Sequence, residues 1–186
     1  AIASHLKNLG RYKVFLTREK DKFIRLRKRI SIAKAYGASL FISIHADAIK
    51  NRRVRGLSVY TLSETASDKE AAELARKENK SDVIAGVDLS IETPVVSDIL
   101  IDLRQRNTMN ESSKFAIGLV KHMRKVTRTL SNAHRFAGFA VLKSPDIPSI
   151  LIEMGFLSNR ADEKALLNPK HRAQMARSIG IAVDEY

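Results

Sequence analysis

The pattern of apolar and polar positions near the start of the chain predicts a strand, a helix and a second strand. Residues 13–17 (KVFLT) are a short β-rich run and predict a buried strand. Residues 21–36 carry apolar side chains at spacings of three and four, which predicts an amphipathic helix that ends at Gly37. Residues 40–44 (LFISI) fit a central strand covered on both faces. The short connections indicate a βαβ unit and therefore an α/β sheet.

The rest of the chain continues the alternation of strands and helices. Further strands are predicted at residues 57–62, 137–142 and 149–152, and helices at 1–9, 67–79, 98–125 and from about 162 or 169 to the end. The candidate core positions of the long helix are Ile99, Leu103, Phe115, Leu119 and Met123. Residues 80–96 are less regular and predict a loop or short turns. We therefore expect a single α/β domain over residues 1–186, with a twisted, mostly parallel or mixed sheet flanked by helices and a helical insertion at 63–94.

Composition excludes several classes of protein. The chain has 186 residues, of which 44% are hydrophobic and 28% are charged, so a packed core is expected. It has no cysteine, which excludes a thiol nucleophile, a cysteine-ligated metal and a disulfide. No apolar run approaches the roughly 20 residues that span a bilayer. No signal peptide is visible, but the chain opens at Ala1 without a methionine, and its first predicted helix has no capping residue. We therefore expect a trimmed N-terminus, which leaves a lost targeting segment open.

The net charge of +13 predicts attraction to polyanions. Basic residues cluster in segments 25–29, 50–55 and 121–128. No nucleic-acid recognition motif accompanies them, aromatic residues are only 6% of the chain, and there is no tryptophan. Cell-wall polymer is also anionic, so charge alone does not choose between these partners.

Two side chains at predicted strand ends are candidates for chemistry. His45 lies just past the strand at residues 40–44, at the sheet edge where α/β proteins bind ligands. Neutral histidine is the commonest metal ligand, and a histidine that is hydrogen-bonded in a loop is the alternative. Glu153 ends a run of aliphatic residues at 150–152. Burial would raise its pKa and suit a general base, whereas the alternative is a glutamate that emerges into solvent.

The two candidates strengthen each other. They are separated by 108 residues, so only a sheet would bring them together. A zinc site with an activated water and a nearby carboxylate is a standard hydrolytic arrangement. Catalytic zinc usually takes three protein ligands, and the residues of this chain indicate one clearly.

Three segments resemble a known family. They are LTREKDKFIRLRKRISIAKAYGASLFISIHAD, GFAVLKSPDIPSILIEMGFLSN and KALLNPKHRAQMARSIGIAVDEY, and they are similar to the zinc-dependent N-acetylmuramoyl-L-alanine amidases of catalytic type three. SIHAD followed by ILIEMGFLSN is the specific signal. The insertion, LSETASDKEAAELARKENKSDVIAGVDL, resembles the subgroup that separates daughter cells in Gram-negative bacteria.

The resemblance implies hydrolysis of the amide between N-acetylmuramic acid and the L-alanine of the peptidoglycan stem peptide. It implies a single zinc ion, a metal-bound water as nucleophile and a glutamate base. His45 matches a zinc histidine of the family, and Glu153 matches its catalytic glutamate. The family's other histidine and a glutamate ligand lie in a strand, loop and helix that would precede Ala1. We therefore expect an amidase domain that lacks its N-terminal strand and loop.

The resemblance also implies a periplasmic protein that is inhibited by its own insertion and released by a LytM-type activator, with no nucleic-acid partner. A carboxylate of the insertion would cap the zinc ion. Glu64 is the first choice because it follows the strand after His45, and Glu70 and Glu73 are alternatives. The competing hypothesis is a non-catalytic basic module that binds cell wall or nucleic acid.

Overall fold

The structure is a computed structural model that describes residues 1–84 and 99–186. The helices in these ranges are α1 (Ile2–Asn8), α2 (Leu26–Ala35), α3 (Lys69–Ile84), α4 (Ile99–Met123), α5 (Arg160–Leu167) and α6 (Pro169–Asp184). The strands are β1 (Phe41–His45), β2 (Leu57–Leu62), β3 (Thr129–Ala137) and β4 (Ser149–Glu153). A short 3-10 helix spans Ala140–Leu142.

The four described strands form one mixed sheet in the order β1-β4-β2-β3. Strand β4 runs parallel to β1 and antiparallel to β2, and β2 runs parallel to β3. Pairing of β1 with β4 places His45 directly opposite Glu153. The prediction of one α/β domain with a mixed sheet between helices is therefore confirmed.

Apolar side chains cover both faces of the sheet. On one face, β2 and β4 pack against α4 and α6, with the predicted core positions Phe115, Leu119 and Met123 fully buried. On the other face, Tyr60 and Leu151 pack against α2, α3 and the 3-10 helix. Because both faces are covered, every residue of β4 is buried, which explains its continuous aliphatic sequence.

Helix α3, in the predicted insertion, packs along this second face. Its N-terminus is capped by Asp68, whose Oδ1 accepts a hydrogen bond of 2.9 Å from the amide of Ala71. The Asp68 carboxylate also forms an ion pair with the buried guanidinium of Arg135 in β3. The helix continues to Ile84, so residues 80–84 are helical where a loop was predicted. The rest of the insertion, residues 85–94, lies outside the described residues.

Two predicted strands are wrong. Residues 13–17 form no strand, and they pair with none of the described strands. Phe15 is 48% exposed and stacks on Tyr36 with ring centroids 4.1 Å apart, so this apolar run packs by an aromatic contact and not in the sheet. Residues 137–142 lie mostly beyond β3, and the tight turn at Ala140–Leu142 buries Val141 and Leu142 without strand pairing.

Strand β3 and the division of the last helix were not predicted. The sequence of β3, TLSNAHRFA, mixes polar and apolar residues without regular alternation, and its pairing with β2 contains a register shift. The C-terminal helical region divides at Asn168, whose side chain accepts hydrogen bonds from the amides of Lys170 and His171 and so caps α6.

In the described ranges, no helix has both the length and the apolar character that crossing a bilayer requires.

Candidate functional site

His45 occupies the last position of β1 and contacts the inserted helix. Its Nδ1 atom lies 3.1 Å from Oε2 of Glu78 in α3, and its Nε2 atom lies 3.0 Å from Oγ of Ser43. Both the histidine and the glutamate side chains are 16% exposed. The imidazole is therefore held between its own strand and the insertion.

Glu153 occupies the last position of β4 and is completely buried. Its Oε1 atom accepts a hydrogen bond of 2.6 Å from the backbone amide of Asp47, whereas its Oε2 atom is buried without a hydrogen-bond partner. Burial raises the pKa of this carboxyl group to about 8, although the Asp47 amide works in the opposite direction. The nearby carboxylates of Asp47 and Glu78 raise the pKa further. The site therefore contains a carboxyl group that titrates near neutral pH.

Asp47 and Lys77 connect the loop after β1 to α3. The Lys77 ammonium lies 2.9 Å from Oδ1 of Asp47 and donates to the carbonyl of Ala48 at 3.2 Å. Burial, together with the charge of Glu78, raises the pKa of Asp47 despite the ion pair with Lys77. Burial also acts to raise the pKa of Glu78, but the hydrogen bond and charge of His45 act against it, and the pKa lies below its ordinary value. The pKa values of these two carboxylates are thus shifted in opposite directions from their ordinary values.

The side chains fit a divalent metal ion. His45, Asp47 and Glu78 each offer a ligand atom, and these atoms lie within 4.8 Å of one another. Oδ2 of Asp47 and Oε2 of Glu153 are buried without hydrogen-bond partners, which is costly unless a proton or cation satisfies them. Imidazole and carboxylate groups are ligands that zinc accepts.

The structure brings His45 and Glu153 to one sheet edge, together with Asp47 and Glu78. It does not bring Glu64 into the group that could hold a metal, and Glu64 is exposed. The alternatives Glu70 and Glu73 are exposed as well. The carboxylate of Glu70 pairs with Arg135. Within the described part of the insertion, the carboxylate that reaches the histidine is therefore Glu78.

Sequence reasoning missed Glu78, although the helix pattern carries a signal for it. The buried positions of α3 are Ala71, Leu74, Ala75 and Asp82. Glu78 falls three or four positions from its neighbours in this series and so lies on the same stripe. A carboxylate on the apolar stripe of an amphipathic helix must find a partner inside the protein.

Comparison with known proteins shows similarity to one enzyme family. Residues 1–185 match the family N-acetylmuramoyl-L-alanine amidase. All of the chain aligns with 45% of the N-acetylmuramoyl-L-alanine amidase AmiC of Escherichia coli O6:H1, at 39% identity over 190 residues. Of the chain, 92% aligns with 60% of the N-acetylmuramoyl-L-alanine amidase AmiA of Escherichia coli K12, at 37% identity. The chain thus spans about half the length of the curated relatives it matches.

Among solved structures, the chain is similar to the N-acetylmuramoyl-L-alanine amidase AmiC2 of Nostoc punctiforme. The TM-score is 0.60 at 27% identity, and the match covers 100% of this chain and 77% of the other. The structural similarity therefore extends over the whole of this chain.

Proposed function

We propose that the chain hydrolyses the amide between N-acetylmuramic acid and the L-alanine of the peptidoglycan stem peptide. The reason is that the chain belongs to the N-acetylmuramoyl-L-alanine amidase family. The observation that carries this proposal is the buried Glu153 carboxyl group at the sheet edge it shares with His45. A buried carboxyl group with a pKa of about 8 is suited to accept and return a proton near neutral pH.

The cofactor that we propose is zinc, with His45 as a ligand and Glu78 as a second group able to reach the ion. When bound, zinc supplies a polarised substrate carbonyl and a water of lowered pKa. The Ser43 hydroxyl contacts Nε2 and the Glu78 carboxylate contacts Nδ1, so His45 would give up one of these two contacts to hold the ion, and the other would orient the ring.

Glu153 would act as the base. Its Oε1 atom is held by the Asp47 amide, which fixes the carboxyl group in one orientation. Its Oε2 atom has no hydrogen-bond partner and is the position at which a proton would be taken up and later returned to the leaving amine. Since the group is buried at the end of a central strand, bulk water does not compete for that proton.

The test compares Glu153→Gln with the wild-type chain on dye-labelled cell wall. We expect dye release to fall by about 100-fold or more, since a positioned base typically contributes 10²–10⁴-fold, while sedimentation with the wall is retained. Glu111→Gln on α4, away from the site, is the matched control and should keep full activity. Equal dye release by Glu153→Gln and wild type would reject Glu153 as the base. DNA binding that survives physiological salt would favour a basic binding module in place of an amidase.

We further propose that α3 inhibits the enzyme by occupying the site. The supporting contacts are those of Glu78 with His45 and of Lys77 with Asp47 and Ala48, all of which lie on the path to the sheet edge. An activator of the LytM type would have to bind the state with α3 displaced more tightly than the closed state. In this proposal, Glu78 takes the inhibitory role first assigned to Glu64.

The test of inhibition is Glu78→Ala, with Glu73→Ala on the exposed side of the same helix as control. We expect Glu78→Ala to raise basal wall hydrolysis in the absence of an activator, and the control to leave it unchanged. A lower or unchanged rate with Glu78→Ala would contradict inhibition by this carboxylate.

The biological role we propose is daughter-cell separation in the periplasm. It is supported by the match to amidases of Escherichia coli and by the insertion that carries Glu78. An enzyme that cuts the wall on which a cell depends requires a closed resting state, which the α3 contacts can provide.

A further inference from the structure

A cleft of about 970 Å³ opens beside the loop that follows β1. Its charged lining side chains are Lys50, Arg52, Arg55 and Arg160, with Glu163 as the only carboxylate among them. Arg55 lies 3.5 Å from the buried carboxylate of Asp162. Across residues 1–84 and 99–186, the other three cations form no ion pair. Uncompensated positive charge is therefore concentrated in one concave surface.

The cleft lies next to the site that contains His45, Asp47 and Glu153. Its wall starts at Ala48, the residue after Asp47. The loop after β1 and the loop after β4 both line the cleft, and three hydrogen bonds join them. The donors and acceptors are Leu157 N to Asp47 O at 2.8 Å, Ile49 N to Ser158 Oγ at 3.2 Å, and Asn159 Nδ2 to Arg52 O at 2.8 Å. Because the two loops are tied to each other, the backbone that carries Lys50 and Arg52 is held close to the site of His45 and Glu153.

A buried carboxylate also joins the two loops that line the cleft. Oδ2 of Asp162 accepts hydrogen bonds from the amide of Gly56 at 2.7 Å and from the amide of Phe156 at 3.1 Å. One side chain therefore ties the end of the loop after β1 to the loop after β4, and it also forms an ion pair with Arg55. The cleft is a built feature of the fold and not a gap between mobile loops.

We infer that this cleft binds carboxylate groups of the peptide part of the substrate, on the side of the scissile amide away from the sugar. The inference rests on the proposed function. Guanidinium groups match carboxylates in shape and charge, and the acetylated sugars of the glycan carry no charge for them to bind. Cations that lack partners repel each other, so a carboxylate ligand relieves that repulsion. Lys50, Arg52 and Arg160 are thus specificity residues for an anionic stem peptide.

The test uses the whole chain carrying Glu153→Gln, so that binding is measured without hydrolysis. The probes are a synthetic stem peptide that begins with L-alanine and has free carboxylates, and the same peptide with those groups amidated. By calorimetry we expect the free peptide to bind at least about tenfold more tightly. Arg52→Gln, on the loop after β1, and Arg160→Gln, at the first residue of α5, should each weaken its binding about three- to tenfold. Arg53→Gln removes the same charge next to the cleft, outside its lining, and should leave binding unchanged.

Equal affinity for the two peptides, or equal effects of Arg52→Gln and Arg53→Gln, would overturn the inference. Competition by inorganic phosphate as effective as that by the peptide would indicate a general anion site and would also overturn it. In the active chain, Arg52→Gln should raise KM for wall fragments with little change in kcat. If the Glu153→Gln chain binds the free peptide selectively but the wild-type chain does not hydrolyse wall, the proposed function is rejected and the cleft remains a carboxylate site. If the wild-type chain hydrolyses wall equally well with free and with amidated stem-peptide carboxylates, the proposed function is kept and the cleft is rejected as a carboxylate site.

Discussion

Glu153 couples the chemistry of the site to the stability of the protein. Its pKa is about 8 in the folded protein because the group is buried, whereas the ordinary value is 4.5. Between these two values the folded protein holds a proton that the unfolded chain has released. The free energy of unfolding therefore falls as pH rises through this window, since the folded state binds more protons than the unfolded state.

We predict that Glu153→Gln removes this dependence. The contribution of Glu153 has a limiting slope of about 1.4 kcal/mol per pH unit, so the wild type should lose stability relative to the variant between about pH 5 and pH 8. Urea unfolding of EDTA-treated protein at several pH values measures the difference. Parallel pH profiles for the two proteins would mean that the carboxyl group is ionised in the folded state. Glu111→Gln should follow the wild type.

At the residue scale, the sequence predicted the positions of His45 and Glu153 at strand ends but not the side chains that contact them. His45 and Glu153 follow apolar strands, and polar groups at strand ends of an α/β sheet are typical site residues. The contact between His45 and Glu78 depends on how α3 packs across the sheet edge, which local sequence does not determine. Glu64 follows β2 directly in the sequence, which favoured it as the residue near the histidine, but it is exposed. Glu78 lies further along the chain, and the periodicity of α3 brings it to His45.

Among the elements, α3 is attached to the domain by polar side chains near its C-terminal end. The Asn79 amide group donates to the carbonyl of Gly138 at 2.8 Å, and its oxygen accepts from the amide of Ala140 at 2.8 Å. The buried carboxylate of Asp82 accepts from the amide of Leu26 at 3.0 Å and so caps α2. These bonds hold the segment of α3 that carries Glu78 against the site.

Loss of the Asn79 contacts should therefore loosen α3 without disturbing Glu78 itself. We predict that Asn79→Ala raises basal wall hydrolysis and speeds amide hydrogen exchange at Ala140. Removing one partner of a buried hydrogen bond costs about 1–3 kcal/mol, so the protein should also lose some stability. Lys80→Ala, at an exposed position on the same helix, is the control. Unchanged hydrolysis with faster exchange would show that α3 does not limit access to the site.

The elements that the sequence predicted correctly are those whose periodicity comes from burial on one or two faces. Helix α4 and strand β4 are of this kind: Phe115, Leu119 and Met123 of α4 and every residue of β4 are buried, whereas the side chains of Ile99 and Leu103 lie outside the described part of the chain. Strand β3 was missed because its pairing with β2 is irregular and its side chains alternate poorly. Residues 13–17 had strand-like composition, but sheet formation needs a neighbouring strand, which composition does not supply.

On the scale of the whole molecule, the net charge of +13 should control how strongly the protein associates with the anionic wall. We predict that the fraction that sediments with purified wall falls steeply between about 50 and 300 mM salt, because the Debye length shortens over this range. Hydrolysis of a small soluble wall fragment should change much less, since it uses the site and not the whole surface. Salt-independent sedimentation would show that specific contacts dominate wall binding.

The position of β4 between β1 and β2 has a consequence for the order in which a growing chain becomes functional. The strand that separates them is synthesised about a hundred residues after β1, so a nascent chain that ends before Ser149 cannot join β1 to the other described strands. The same late strand delivers Glu153 to His45. Ribosome-bound intermediates that end before Ser149 thus carry the imidazole of His45 without the carboxyl group that faces it in the completed sheet.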